Sequence, residues 1–163
     1  MRSALYVPGN SPSKILQAGI YGADGIIFDL EDSIPQSKKI EARFLLLEML
    51  RLKEWEKSKT IIRINDLESS FWKDDIHTLA PLMKEGIVSI LRVPKVESSN
   101  QIHSLEKELV AIEKEHQITE GTITLECILE TPRAIEEAFI IASSSQRIEA
   151  LVFGAEDYCS STG

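Results

Sequence analysis

Gly25-Ile26-Ile27-Phe28-Asp29-Leu30-Glu31-Asp32 is a short apolar run that ends in a cluster of acidic residues. The run is too short for an ordinary helix and does not alternate. That is the pattern of a strand covered on both faces, as in a parallel sheet. The same signal recurs along the chain, and strands are expected at Ala4–Val7, Gly25–Leu30, Thr60–Ile64, Ser89–Val93, Thr124–Leu129 and Ala150–Phe153. Polar residues gather where these runs stop: Asp29, Arg63, Lys95, Glu130, Glu156 and Asp157 all fall at or just past a strand's C-terminal end.

Amphipathic stretches separate the strands. Ser11-Pro12 opens the first helix and Gly22 closes it. A long second helix is expected from Pro35 to about Lys57, with Ile40, Phe44, Leu47 and Leu50 at helical spacing. A third runs from about Phe71 to Lys84, weakened or split by Pro81. Ser98 and Gln101 form a capping box for a fourth, whose Ile102, Leu105, Leu109 and Ile112 share one face. Thr131-Pro132 opens a fifth, expected to turn Ile135, Ala138, Phe139 and Ala142 inward, and no helix is expected after Tyr158. Strand and helix alternate in the βαβ rhythm shared by open doubly wound sheets and closed (β/α)8 barrels. Polar residues on successive strand ends favour the barrel, whose active-site face those ends form. Six strands do not close an eight-stranded barrel, which typically takes ~250 residues. The expectation is therefore a single domain over residues 1–163 forming an incomplete TIM barrel. Its exposed strand edges and core surface would drive oligomerisation or poor solubility.

Of the 163 residues, 43% are hydrophobic, enough for one ordinary core, and the formal net charge is −8. An acidic chain lacks the surplus of Lys and Arg that nucleic acid or an anionic membrane would require. Cys127 and Cys159 form neither a metal-ligand spacing nor a disulfide framework, and Cys127, inside an apolar run, reads as a buried thiol. The opening residues resemble no secretory leader and no apolar run is long enough to span a membrane, so a cytoplasmic protein is expected.

Several of the strand-end residues can carry chemistry. Glu130 and Asp157 follow successive strands, so their carboxylates would share a rim as two hard oxygen ligands for Mg²⁺. The plainer role for Glu130 is a carboxylate at the N-terminus of the helix that Pro132 starts, and Glu156 rivals Asp157 as a ligand. Arg63 is a charge inside an apolar strand, where it needs a partner. That partner is either a structural carboxylate such as Asp29 or a substrate carboxylate held by two parallel hydrogen bonds. The cluster Asp29-Leu30-Glu31-Asp32 either favours the following helix N-terminus or orients metal waters and Arg63. Lys95 reads as a rim residue, with Schiff-base chemistry as its alternative. His77, His103 and His116 lie in helices and read as surface or packing residues.

Taken in order, Arg2 to Gly9 (RSALYVPG), Phe28 to Ser33 (FDLEDS), Ala42-Arg43, Arg63-Ile64-Asn65, Arg92-Val93-Pro94-Lys95, Glu130-Thr131-Pro132 and Gly154 to Tyr158 (GAEDY) resemble the HpcH/HpaI aldolase/citrate lyase family, on its citrate lyase β-subunit side. The resemblance covers essentially the whole chain. It implies a (β/α)8 barrel, often trimeric or part of a citrate lyase complex, that cleaves a C–C bond next to a CoA or acyl-carrier-protein thioester. It further implies that Glu130 and Asp157 ligate magnesium, and that Glu130 thereby helps to bind substrate. Arg63 would grip the carboxylate of the oxo acid, and Asp29 would stand beside it as a catalytic residue. Lys14 and Arg2 would approach the thioester's carrier. The last two strands of such a barrel, with the acid/base carboxylate that relatives place there, have no counterpart here. A chain that binds Mg²⁺ and an oxo acid, or only assembles with partners, is the alternative to an active lyase.

Overall fold

The computed structural model describes residues 1–52 and 58–163. Six strands, β1 (Ala4–Pro8), β2 (Gly25–Asp29), β3 (Lys59–Arg63), β4 (Ile90–Val93), β5 (Thr124–Leu129) and β6 (Ile148–Phe153), form one sheet. All pair in parallel, and their spatial order is their sequence order. That order is the wall of a barrel; a doubly wound sheet would reverse direction partway.

Between the strands lie α1 (Pro12–Gln17), α2 (Lys39–Arg51), α3 (Trp72–Lys84), α4 (Ser99–His116), α5 (Pro132–Glu136) and α6 (Ala138–Ser143), with α7 (Ala155–Thr162) after β6. The two faces of the sheet differ because side chains alternate along each strand. Val7, Ile26, Phe28, Ile62, Leu91, Val93, Leu125, Cys127 and Leu129 pack into the main core with the helices. Ile27, Ile61 and Ile90 form a separate cluster on the concave face, with no helical residue among them. Above that small apolar floor, the register aligns Asp29, Arg63, Arg92 and Glu126 across β2 to β5.

Several helix expectations are corrected. α2 buries Lys39, Ala42, Arg43, Leu46 and Leu50, whereas Ile40 and Phe44 are exposed. Two buried cations occupy its inner face, and apolar periodicity gives no sign of them. The expected extension of this helix to Lys57 lies outside the described residues. Pro81 neither splits nor ends α3, which passes through it and closes with Glu85 N–H donating to the Pro81 carbonyl at 3.0 Å. The fifth helix is two short helices broken at Glu137, and the break resets the phase. Ala134 and Ile141 are therefore the buried residues, while Ile135, Ala142 and Phe139 are exposed. α7 runs through the residues after Tyr158 that were expected to be non-helical. β6 starts two residues before the expected Ala150.

The end of β3 is fastened by a buried polar knot. Asp75 of α3 accepts from the Asn65 backbone N–H at 2.9 Å and its side chain at 2.7 Å, and from Arg43 Nε of α2 at 3.0 Å. Arg43 also donates to the Phe71 carbonyl. Asp75→Ala would take from the Arg43 guanidinium its buried counter-charge, leaving it the exposed Asp74 carboxylate at 3.1 Å, and would leave Asn65 without its acceptor. Urea unfolding is expected to show a loss of about 3–5 kcal/mol. A loss below about 1 kcal/mol would show that the knot does not hold β3.

Candidate active site

The ends of β2, β3, β4 and β5 meet at one rim. Asp29, the last residue of β2, is 1% exposed. Its carboxylate accepts from Arg63 Nε at 2.6 Å and Nη2 at 2.8 Å. It also accepts from the backbone N–H groups of Glu31 at 2.8 Å and Ser33 at 3.0 Å. Burial pushes the Asp29 carboxyl upward, but the Arg63 contacts and these N–H groups outweigh it, and its pKa lies below the usual range. The loop beyond β2 is tied down by Lys39, whose Nζ donates to the Leu30 carbonyl at 2.8 Å and the Glu31 carbonyl at 2.6 Å.

Glu31 bridges two cations. Its Oε2 lies 3.0 Å from Arg63 Nη1, and its Oε1 accepts from Lys95 Nζ at 2.6 Å. Arg63 Nη1 further reaches Asp32 at 3.2 Å. Of the two partners that the sequence left open for Arg63, the structure thus supplies the protein's own carboxylates.

On the other side of Lys95 stands Glu130, just past β5. It is 5% exposed, and its Oε1 is buried with no hydrogen-bond partner. Burial first, then the neighbouring charge of Asp157, pushes its carboxyl up to about 7. A cavity of about 410 Å³ opens here, lined by Glu130, Asp157 and Lys95 among others. Asp157 lies in the first turn of α7, and Glu156, its rival from sequence, does not line this cavity. Gly154, between β6 and α7, lets the two elements close on each other. A Cβ there would sit 2.7 Å from Glu130 Cβ and 3.0 Å from Oε2. Gly154→Ala should therefore displace the Glu130 carboxylate and weaken Mg²⁺ binding about tenfold in a titration, and unchanged affinity would mean that Glu130 does not need this packing.

Two hard oxygen donors, one with a buried oxygen lacking a partner, fit a hard divalent cation that completes its shell with water and ligand oxygens. Among the described residues no group of three or more His, Cys, Asp and Glu side chains is arranged to hold a metal ion by itself. The donor set is thus the sparse carboxylate type used for Mg²⁺ and not the closed cage of structural zinc.

The remaining expected site residues are not brought together. Lys14 is exposed on α1, which follows β1. Arg2 precedes β1 and lies at the opposite rim, where its backbone N–H donates to Asp24 before β2. Its side chain is 94% exposed, so the structure does not place it beside Glu130. His77 pairs with Glu108 between α3 and α4, away from the rim. Inside the concave face stand Arg92, Glu126 and Tyr6, which the sequence did not single out as site residues. Arg92 Nε and Nη2 donate to Glu126, and Nη1 donates to the Tyr6 hydroxyl at 3.1 Å. The Tyr6 ring lies under both Arg92 and Arg63, with each guanidinium carbon within 6 Å of its centroid. Glu126 carries the same signal as Arg63, a charge inside an apolar strand.

A parallel sheet wound in sequence order, with carboxylates and cations on its C-terminal rim, defines a barrel-type α/β protein with an acidic metal-competent site. A family model described as HpcH/HpaI aldolase/citrate lyase matches residues 2–163, and the chain belongs to that family. Among its relatives is the citrate lyase subunit beta of Leuconostoc mesenteroides subsp. cremoris, 38% identical over 157 residues, or 96% of this chain and 51% of that protein. Another is the L-malyl-CoA/beta-methylmalyl-CoA lyase of Cereibacter sphaeroides, 30% identical over 162 residues, or 99% of this chain and 50% of that protein. The citrate lyase beta subunit of Mycobacterium tuberculosis, solved in complex with oxaloacetate and magnesium, superposes with a TM-score of 0.73 at 25% identity. That match covers 97% of this chain and 60% of that one. The chain spans about half the length of the curated relatives it matches, and its open six-stranded sheet fits an incomplete barrel.

Proposed function

We propose that this chain forms a single lyase domain that, with Mg²⁺, cleaves a citryl or malyl-type thioester to an oxo acid (oxaloacetate or glyoxylate) and an acetyl thioester. The observation that carries the reading is the partnerless oxygen of Glu130, buried beside Asp157 at the rim where Arg63 and Lys95 also stand. Two lyases among its relatives and the oxaloacetate and magnesium bound by its structural neighbour support it.

In this reading Glu130 and Asp157 hold the ion, which when bound supplies Lewis acidity to the oxygen that becomes the ketone. Where the acid is oxaloacetate, Arg63 takes its remote carboxylate and thereby aligns the bond to be broken. Asp29 keeps that guanidinium fixed and charged, since the Arg63 pKa is raised further above its already high value. The substrate hydroxyl loses its proton as its oxygen becomes the ketone. The electron pair of the broken C–C bond passes to the carbon beside the thioester carbonyl, and the resulting thioester enolate takes up a proton in place of the one the hydroxyl releases. The carrier is CoA or an acyl carrier protein, approached from the side of Lys14. The chain would work with copies of itself or with other citrate lyase subunits.

Incubating the chain with citryl-CoA or malyl-CoA should release oxaloacetate or glyoxylate in Mg²⁺ and none in EDTA. Release that is indifferent to EDTA would contradict the reading. One observation favours a second function: the protein's own carboxylates already engage Arg63. That arrangement suits a chain that binds Mg²⁺ and an oxo acid, or assembles with partners, without turnover. Binding with no cleavage of either thioester would establish it.

A further inference from the structure

Lys95 has a left-handed backbone, with φ of 53°, a conformation that glycine adopts freely and that residues with a Cβ rarely do. Such outliers persist where the surroundings impose them, and they cluster at ligand sites. The surroundings here are specific. Lys95 follows Val93-Pro94 at the end of β4, and the next residue, Val96, donates its N–H to the Ile128 carbonyl at 3.2 Å. This bond ties the turn to the neighbouring strand. The strained residue thereby aims its ammonium across the rim, between Glu31 and the cavity that Glu130 and Asp157 line. The carboxylates of Asp66, Glu68, Glu97, Glu130 and Asp157 line that cavity, and Lys95 is the one cation among its described lining residues. Its side chain is 43% exposed, open enough to meet a ligand and already partnered at 2.6 Å by Glu31.

We propose that Lys95 binds the carboxylate of the oxo acid that lies at the Glu130–Asp157 cavity, as a second fixed cation distinct from Arg63. The proposal rests on the oxo-acid reading above and adds a division of labour. Arg63, outside the cavity lining and joined to Lys95 through the carboxylates of Glu31 and Asp32, serves the remote carboxylate. Lys95 serves the carboxylate next to the oxo group, which every 2-oxo acid carries. When the ligand arrives, its carboxylate replaces Glu31 as a partner of the ammonium.

The test titrates the chain at saturating Mg²⁺ with oxaloacetate and with pyruvate, which lacks the remote carboxylate. Lys95→Met keeps the stem and the backbone strain and removes only the charge. It should weaken both acids by the same factor, about 10- to 100-fold, as for loss of a charged hydrogen-bond partner. Lys95→Gly removes the strain as well, so it should lose the same affinity while its thermal midpoint lies at or above that of Lys95→Met, which loses the same charge. Glu31→Gln removes the nearer of the ammonium's two carboxylate partners, leaving Asp32 at 3.6 Å, and should tighten both acids. Lys95→Met binding both acids as the wild type does would overturn the proposal, as would a loss confined to oxaloacetate. A loss in Glu31→Gln as large as in Lys95→Met would make Lys95 only a clamp on Glu31 and would overturn it too. Failure of the wild type to bind either acid would instead fall on the oxo-acid reading itself and remove this inference with it.

Discussion

Glu130→Gln should abolish Mg²⁺-dependent stabilisation and, at the same time, stabilise the metal-free protein above pH 7. The Glu130 carboxyl rises from its ordinary 4.5 to about 7 in the folded state, through burial and then the charge of Asp157. Between those values the folded protein holds a proton that the unfolded chain has released, so stability falls as pH rises through this window. Above pH 7 the folded state carries the full cost of an ionised, buried carboxylate, roughly 1–3 kcal/mol. Glutamine has no charge and escapes that cost, and it offers a far weaker ligand to a hard cation. Melting curves at pH 5 and pH 8, each in EDTA and in Mg²⁺, check both halves. In EDTA the variant should gain stability over the wild type only at pH 8, and in Mg²⁺ it alone should fail to respond. Equal responses of the two proteins to Mg²⁺ would remove Glu130 from the ligand set.

Arg63→Ala should cost about 3–5 kcal/mol of stability in urea unfolding, because it leaves Asp29 buried without its counter-charge and Glu31 with Lys95 alone. Oxaloacetate affinity should fall by about two orders of magnitude or more, while pyruvate affinity should fall far less. Arg63→Lys separates the two effects. It retains a positive charge and much of the stability, but a single ammonium cannot reproduce two parallel hydrogen bonds to a carboxylate. Calorimetric titration of this variant with both acids should show oxaloacetate losing its advantage over pyruvate. Wild-type selectivity in Arg63→Lys would mean that Arg63 serves only the protein's own carboxylates, Asp29, Glu31 and Asp32.

The strands are legible in the sequence because a parallel sheet buried on both faces leaves short runs such as Ile26-Ile27-Phe28 and Thr124 to Leu129 that nothing else explains. The polar residues at their ends are legible for the same reason: Asp29, Arg63 and Glu130 are conspicuous against apolar neighbours. α4 is readable at its start and along its apolar face because its capping box and four inward residues agree, while the buried Glu113 on the same helix leaves no such sign. α2 misleads because its inner face carries Lys39 and Arg43, charges that periodicity assigns to solvent until Leu30, Glu31 and Asp75 are seen to receive them. The helix after Glu130 misleads because a break at Glu137 shifts the phase, and no proline or glycine marks that position. Lys95 resembles an ordinary rim residue in sequence, since neither its left-handed backbone nor the bridge through Glu31 leaves a trace in residue type. Asp157 and Glu156 are indistinguishable as neighbours in sequence, and only the turn of α7 sets one of them at the cavity.

A metal-assisted oxo-acid site at Glu130 and Asp157 is tested most directly by calorimetric titration of the chain with oxaloacetate, with and without Mg²⁺. Such a site predicts oxaloacetate binding that requires Mg²⁺ and, by linkage, Mg²⁺ binding that tightens by the same factor when oxaloacetate is present. Oxaloacetate affinity that is the same in Mg²⁺ and in EDTA, or no binding in either, would contradict it.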